Sequence, residues 1–267
     1  MSGRPWFGPA IVAALVVAVA FLTLPVIAIF LDVGPGRLVA SLDDPSSREA
    51  LLLSLKTTSI SMAVIVLVGT PAAYALATRT FRGRSLVITL VELPLVLPPA
   101  VAGIGLLAAV GPSGLLGGAL SDLGIELALT TAGVVVALTF VASPFYLRQA
   151  QAAFTAIDPA LLEASRTLGA SEARTFARVA VPAAGPGLLA GGALALGRAL
   201  GEFGATLVFA GSFQGITQTV PLAIYDKFST DFDGALALSA VLVAVSAALL
   251  LGVKLVRGGE ALGARVR

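Results

Sequence analysis

Six long apolar runs separated by short polar stretches organise the chain, covering roughly residues 9–31, 51–77, 85–110, 129–153, 182–210 and 235–256. About 20 apolar residues carry a helix across the hydrocarbon core of a bilayer, and lipid-facing backbone must satisfy its hydrogen bonds internally. The pattern therefore predicts six transmembrane helices. The first run follows a short start containing Arg4. A cleaved signal has an apolar core of about 7 to 15 residues and a small-residue cleavage site, so this longer run is expected to remain as a helix.

Composition agrees with an all-α integral membrane protein. Of 267 residues, 57% are hydrophobic and 12% are charged, against about 25% charged in soluble domains. The polar stretches have no room for a folded soluble domain, so residues 1–267 are expected to form one membrane domain. Cysteine and histidine are both absent, which excludes disulfides, thiolate or imidazole metal sites and histidine-based triads. No GxxxxGK[ST] phosphate loop occurs, so nucleotide chemistry would have to come from a partner. The net charge of +2 gives no bulk attraction to nucleic acid.

The placement of charge orients the helices, because cytoplasmic loops are enriched in Lys and Arg. With the N-terminus inside, that face carries Arg4, Arg79, Arg82, Arg84, Arg148, Arg166, Arg174, Arg178, Lys254, Arg257, Arg265 and Arg267. The outer face has Arg37, Arg48, Lys56 and Lys227 beside acids such as Asp43, Asp44, Asp226 and Asp233. Both termini are therefore expected in the cytoplasm.

The polar stretch between the fourth and fifth runs, TAIDPALLEASRTLGASEARTFARVAVP, carries strong helix punctuation. Asp158 can cap a helix opening at Pro159, and Gly169 can end it in the left-handed conformation. Ser171 can cap a second short helix running to about Ala180, before Pro182 opens the next span. Taken alone, such a segment suits an amphipathic connector on the lipid surface, a helix-turn-helix, or a docking element for a cytoplasmic partner.

This loop resembles the EAA signature of ATP-binding-cassette importer permeases, which reads Glu-Ala-Ala, three residues, Gly, nine residues, then Ile-x-Leu-Pro. Glu163, Ala164 and Ser165 occupy the first three positions, Gly169 follows at the right spacing, and Val179 to Pro182 complete it. Ser165 replaces the second alanine. The resemblance implies that Glu163, Ala164, Ser165 and Gly169 couple the membrane domain to a partner ATPase. It extends over nearly the whole chain after the first helix. ELPLVLPPAVAGIGLL (Glu92 to Leu107), GRALGEFGATLVFAG (Gly197 to Gly211) and TQTVPLAIY (Thr217 to Tyr225) are similar to permeases of molybdate and tungstate importers. Sulfate and thiosulfate permeases are close relatives of that group.

The resemblance implies a multi-pass cell-membrane permease for molybdate, or for tungstate, working by alternating access. It also implies a second copy of itself, two cytoplasmic ATPase subunits and an extracytoplasmic oxyanion-binding protein. ATP and Mg act on the partner ATPase, and the chain itself is expected to hold no cofactor, metal or catalytic site. A sulfate or thiosulfate importer is the alternative. An ATP-independent anion channel, or an enzyme using Glu92, Glu202 and Arg198, is more remote, because no nucleophile sits beside a base.

The chemistry of the spans points to a pathway. Pro94, Pro98 and Pro99 cannot continue an undisturbed helix, so the third span should kink or break there, either as static packing or as part of a path. Arg198 and Glu202 stand four apart in the fifth run and can pair on one helix face. Charges within membranes face a protein interior or water rather than lipid. Gly197 and Gly201, with Gly191, Gly192 and Gly204, would allow close helix approach. Pro98, Pro99, Arg198, Gly201 and Glu202 are thus the candidate pathway or gate, with Arg198 and Glu202 acting structurally or touching the anion. Glu92 is a second candidate partner for Arg198.

Overall fold

A computed structural model describes residues 7–265, which form a helical bundle with no strand among them. Arg4 and Arg267 lie outside the described residues, as do the side chains of Lys254, Arg257 and Arg265. Helix α1 (Phe7–Asp32) is followed by α2 (Pro35–Asp43) and α3 (Pro45–Thr78). The third apolar run gives two helices, α4 (Arg84–Val96) and α5 (Pro99–Val110), and a short α6 (Gly117–Asp122) precedes α7 (Thr131–Thr155). Then come α8 (Pro159–Thr167), α9 (Glu172–Thr175), α10 (Val181–Leu200), α11 (Gly204–Ala210), α12 (Val220–Phe228) and α13 (Phe232–Arg265).

Five helical stretches are long and apolar enough to cross a bilayer: α1, α3, α7, residues 172–200 and the first part of α13. The expected third crossing is not one helix. Pro98 takes an extended backbone angle at the start of α5, and two adjacent prolines remove consecutive donors that a continuous helix would need. The expected fifth helix, residues 182–210, is also broken, which corrects the sequence reading. It stops at Leu200 and restarts at Gly204.

The core is built from α3, α7 and α10, whose facing residues are small. Ala73, Ala137, Ala142, Ala150 and Ala195 are all buried. At the centre, Tyr146 of α7 is inserted between a glycine on each neighbour. A side chain at Gly69 of α3 would come 2.9 Å from its Cδ1, and one at Gly191 of α10 would come 3.3 Å from its Cδ2. Its hydroxyl is 2.7 Å from Thr70 Oγ1, so the one polar atom of the ring has a buried partner. Small residues that let helices close on a large one are the usual basis of association in lipid, where burial of apolar area gives little drive.

Helices α3 and α7 run in the same direction and α10 runs against them. At one end, Tyr74, Phe154 and Phe176 form an aromatic cluster beneath α8, with centroids 5.0 to 6.3 Å apart. At the other end the short helices α2 and α12 were not anticipated. Asp44 Oδ2 accepts from Lys227 Nζ at 2.8 Å, Arg37 pairs with Asp233 at 2.8 Å, and Ser54 Oγ accepts from the Val220 amide at 2.8 Å.

Candidate coupling loop and helix-break site

The loop between α7 and α10 follows its sequence signals closely. Asp158 Oδ1 accepts from the Ala160 amide at 2.9 Å, and Pro159 opens α8, where its missing N–H costs nothing. Gly169 has φ +83°. Its amide donates to Arg166 O at 2.9 Å, and the Ala170 amide donates to Ser165 O at 3.1 Å. These two bonds are a Schellman ending, which requires the left-handed residue that glycine supplies. Ser171 Oγ then accepts from the Arg174 amide at 3.3 Å and caps α9.

One feature departs from the expectation of a separate second helix before Pro182. From α9 the chain continues through a wide π turn, Phe176–Ala180, directly into α10. Pro182 cannot donate to the preceding turn, and widening that turn lets the helix pass the proline without a stop. Loop and span are therefore one continuous rod.

Ser165 has a definite role in this geometry. Its hydroxyl lies 3.0 Å from Thr175 Oγ1, and Thr175 is fully buried, so the serine ties α8 to the root of α10. Leu162 is buried under α8, while Glu163, Ala164 and Gly169 face outward. Leu168, at the tip, is 88% exposed. Leu161, Ala164, Leu168, Arg174 and Arg178 line a shallow groove of about 370 Å³. Arg79, at the end of α3, pairs with Glu172 of α9 at 2.6 Å and braces the loop against a second long helix.

The other candidate residues meet at the two helix breaks. A side chain on Gly204, the first residue of α11, would come 2.7 Å from Pro99 Cβ, the first residue of α5. Gly103 packs equally closely on Ala205 and Val208. The half-helices α5 and α11 therefore start level with each other and run side by side in the same direction. Pro98, Pro99, Ala100 and Gly201 are exposed at this level.

Glu202 sits in the second break and not on the helix, which corrects the expected shared face. Its side chain is 1% exposed, against 27% for Arg198, and Oε2 meets Arg198 Nη2 at 2.5 Å. Its Oε1 accepts from the Ala205 amide at 2.7 Å. One carboxylate thus neutralises the guanidinium and caps the restarting helix, satisfying an end donor that would otherwise be orphaned in a dry site. Phe203 packs against Tyr225 of α12, with ring centroids 5.0 Å apart and the rings tilted 50° to each other.

Two further expectations change. Glu92 pairs with Arg148 of α7 at 3.4 Å, so it is not a partner of Arg198; the arginine inside the fourth apolar run was the signal overlooked. Gly191 and Gly204 make close contacts, but a side chain at Gly192 or Gly197 would meet nothing within 4 Å. The Gly197 and Gly201 pair therefore does not seat another helix of this chain among the described residues.

Comparison with known proteins agrees with this geometry. Residues 65–267 match the family model described as binding-protein-dependent transport system inner membrane component. The chain is 44% identical over 238 residues to the molybdenum transport system permease protein ModB of Mycobacterium tuberculosis, covering 89% of this chain and 90% of that protein. It is 32% identical over 215 residues to a probable sulfate transport system permease protein of Chlorokybus atmophyticus, covering 80% and 75%. Its fold is similar to that of a bacterial ATP-binding-cassette transporter involved in importing the acidic polysaccharide alginate, with TM-score 0.76 and 20% identity over 95% of this chain and 96% of that one. With its broken spans and rigid polar loop, the chain belongs to the inner-membrane permease family of binding-protein-dependent transport systems, as a multi-pass subunit of an ATP-binding-cassette transporter.

Proposed function

We propose that this chain forms the translocation pathway of an importer that carries molybdate, or the similar tetrahedral dianion tungstate, into the cytoplasm. The observation that carries this reading is the 44% identity over nearly the whole chain to a molybdenum permease, against 32% to a sulfate one. In this reading the chain crosses the membrane six times, with α4 and α5 together making the third crossing and both termini in the cytoplasm. A second copy completes the pathway, two ATPase subunits dock beneath it, and an extracytoplasmic binding protein delivers the anion. The permease performs no chemistry of its own, and ATP and Mg belong to the ATPases.

The coupling mechanism follows from the rod formed by α9, the π turn and α10. When the ATPase subunits close on ATP, they push on the exposed face of α8 at Glu163, Ala164 and Gly169. Ser165 and Thr175 pass that displacement to the root of α10, and Arg79 with Glu172 passes part of it to α3. A packed element with two stable positions carries such a push over its whole length. At its far end α10 stops at the Arg198 and Glu202 break, beside Pro98 and Pro99. Alternating access then amounts to moving the paired half-helices α5 and α11 relative to α10, with ATP favouring one arrangement over the other.

Glu202 neutralises most of the charge on Arg198, so the break offers the anion a modest positive potential instead of a tight site. That suits a pathway, in which binding must be weak enough for release. The test is ATP-driven uptake of labelled molybdate into liposomes containing this chain, its cognate ATPase and the loaded binding protein. Inhibition by unlabelled tungstate but not by sulfate is the expected result. Competition chiefly by sulfate would move the chain to the sister group, and uptake that persists without ATP would sink the importer reading.

A further inference from the structure

We propose that the cavity between α4 and α7 is an inward-side anion site, in which Arg148 leaves Glu92 to hold a tetrahedral oxyanion before release. The proposal rests on the importer reading above. The ion pair of Arg198 with Glu202 and that of Arg148 with Glu92 differ sharply. Arg198 and Glu202 are close at 2.5 Å, and Glu202 is buried and further held by the Ala205 amide. Arg148 and Glu92 are 3.4 Å apart, 59% and 37% exposed. No other hydrogen bond or ion pair holds either of them among the described residues. An ion pair so loose and so exposed contributes little and exchanges partners readily.

The surroundings fit an anion. The cavity has a volume of about 430 Å³, and Gln151 and Thr155 line it beside Arg148 and Glu92. The guanidinium presents planar paired donors suited to two oxygens of an oxyanion, and the Gln151 amide adds another donor. Glu92 keeps Arg148 occupied while the site is empty, and its negative charge disfavours prolonged residence of a dianion. Arg148 lies seven residues before the end of α7 and Glu92 eight after the start of α4, about 10 to 12 Å inside the end that carries the coupling loop. From Glu92, α4 leads directly to the break at Pro98. Helix α10 runs against α7, with Gly191 beside Tyr146 and Gly187 beside Ala153, so Arg148 stands at a level between Arg198 and the loop end, and in the importer reading an anion moving to the cytoplasm passes that level.

Binding of labelled molybdate to the nucleotide-free transporter, this chain with its ATPase subunits in lipid nanodiscs and no binding protein, tests the assignment. Glu92→Gln, which frees Arg148, is expected to tighten binding about fivefold and to slow ATP-driven uptake by delaying release. Arg148→Gln is expected to weaken binding at least about tenfold in both the wild-type and the Glu92→Gln background. A gain of affinity in Glu92→Gln cannot arise from misfolding, so that variant keeps the proposal open to refutation even if Arg148→Gln is unstable. Unchanged binding in both variants, in a preparation whose wild type imports molybdate, overturns the site while leaving the importer reading intact. Loss of the dimer on Arg148→Gln, or binding changed only when anionic lipid is varied, assigns the pair to a subunit or lipid contact and also overturns it. Failure of the wild type to import any oxyanion overturns both.

Discussion

Single side chains carry unusual weight here because so few are charged. Removing the carboxylate of Glu202 leaves Arg198 partly buried without its counter-ion and weakens the cap on α11. Loss of one partner of a buried pair costs about 3–5 kcal/mol, and the partial exposure of Arg198 places Glu202→Gln near the lower end. Thermal unfolding in detergent should show this loss, and the Arg198→Gln/Glu202→Gln double variant should recover a large part of it, since no charge is then stranded. Equal destabilisation in the double variant would mean that the pair is not the source of the effect. At Tyr146 the stake is smaller. Replacing it with Phe removes the bond to Thr70 and should cost about 1 kcal/mol, whereas Gly69→Val should cost more by forcing a side chain into the ring.

In the proposed coupling, helices and turns set how movement would be transmitted. Gly169 is in the left-handed region at φ +83°, so Gly169→Ala imposes about 1 kcal/mol of strain and loosens the Schellman ending of α8. The variant should still assemble with its ATPase but lose much of the stimulation of ATP hydrolysis by loaded binding protein; unchanged stimulation would show that the rigid turn does not carry the coupling. Ser165→Ala removes the hydroxyl link to Thr175 and should give a weaker effect of the same kind. The broken spans belong to this scale as well. A helix interrupted at Pro98 and Gly201 leaves backbone groups free, which lipid does not tolerate, so these breaks must face protein or water.

Over the whole molecule, the end that carries α8 and the end that carries α2 and α12 are each fastened by their own set of contacts. The loop end holds the aromatic cluster of Tyr74, Phe154 and Phe176 with one exposed ion pair, Arg79 and Glu172, and the far end is held by the pairs of Lys227 with Asp44 and Arg37 with Asp233. Lys227 and the hydroxyl of Ser46 hold the Asp44 carboxyl well below the usual carboxylate range, against a smaller opposing effect of burial. A carboxylate depressed in the folded state adds stability above its unfolded pKa of about 4. That stability is lost as pH falls through the lower folded value. Asp44→Asn should therefore be less stable than wild type at pH 7, and the difference should shrink on acidification below about pH 4. A gap in melting temperature that stays constant down to pH 3 would refute the ion pair as its cause.

Length and apolar content were enough to determine the helical membrane class, because a bilayer accepts few backbone solutions and hydropathy reports them directly. Local punctuation determined the caps and the glycine turn of the loop between α7 and α10. Asp158, Pro159, Gly169 and Ser171 act within four residues of themselves, so no distant partner was needed to place them. The break at Pro98 and Pro99 was legible for the same reason. What depended on residues far apart in the chain was not. The break after Leu200 was not legible because it lies where Gly204 closes on Pro99 and Gly103 on Ala205 and Val208, contacts between residues far apart in the chain. Glu92 could be matched to Arg148 only after α4 lay beside α7. The helices α2 and α12 stayed hidden because they are short and amphipathic, and they hold their places through Asp44, Ser54 and Lys227. Tertiary structure decided these pairings because, in a bundle of similar apolar helices, which polar groups meet is fixed by which small residues let the helices close.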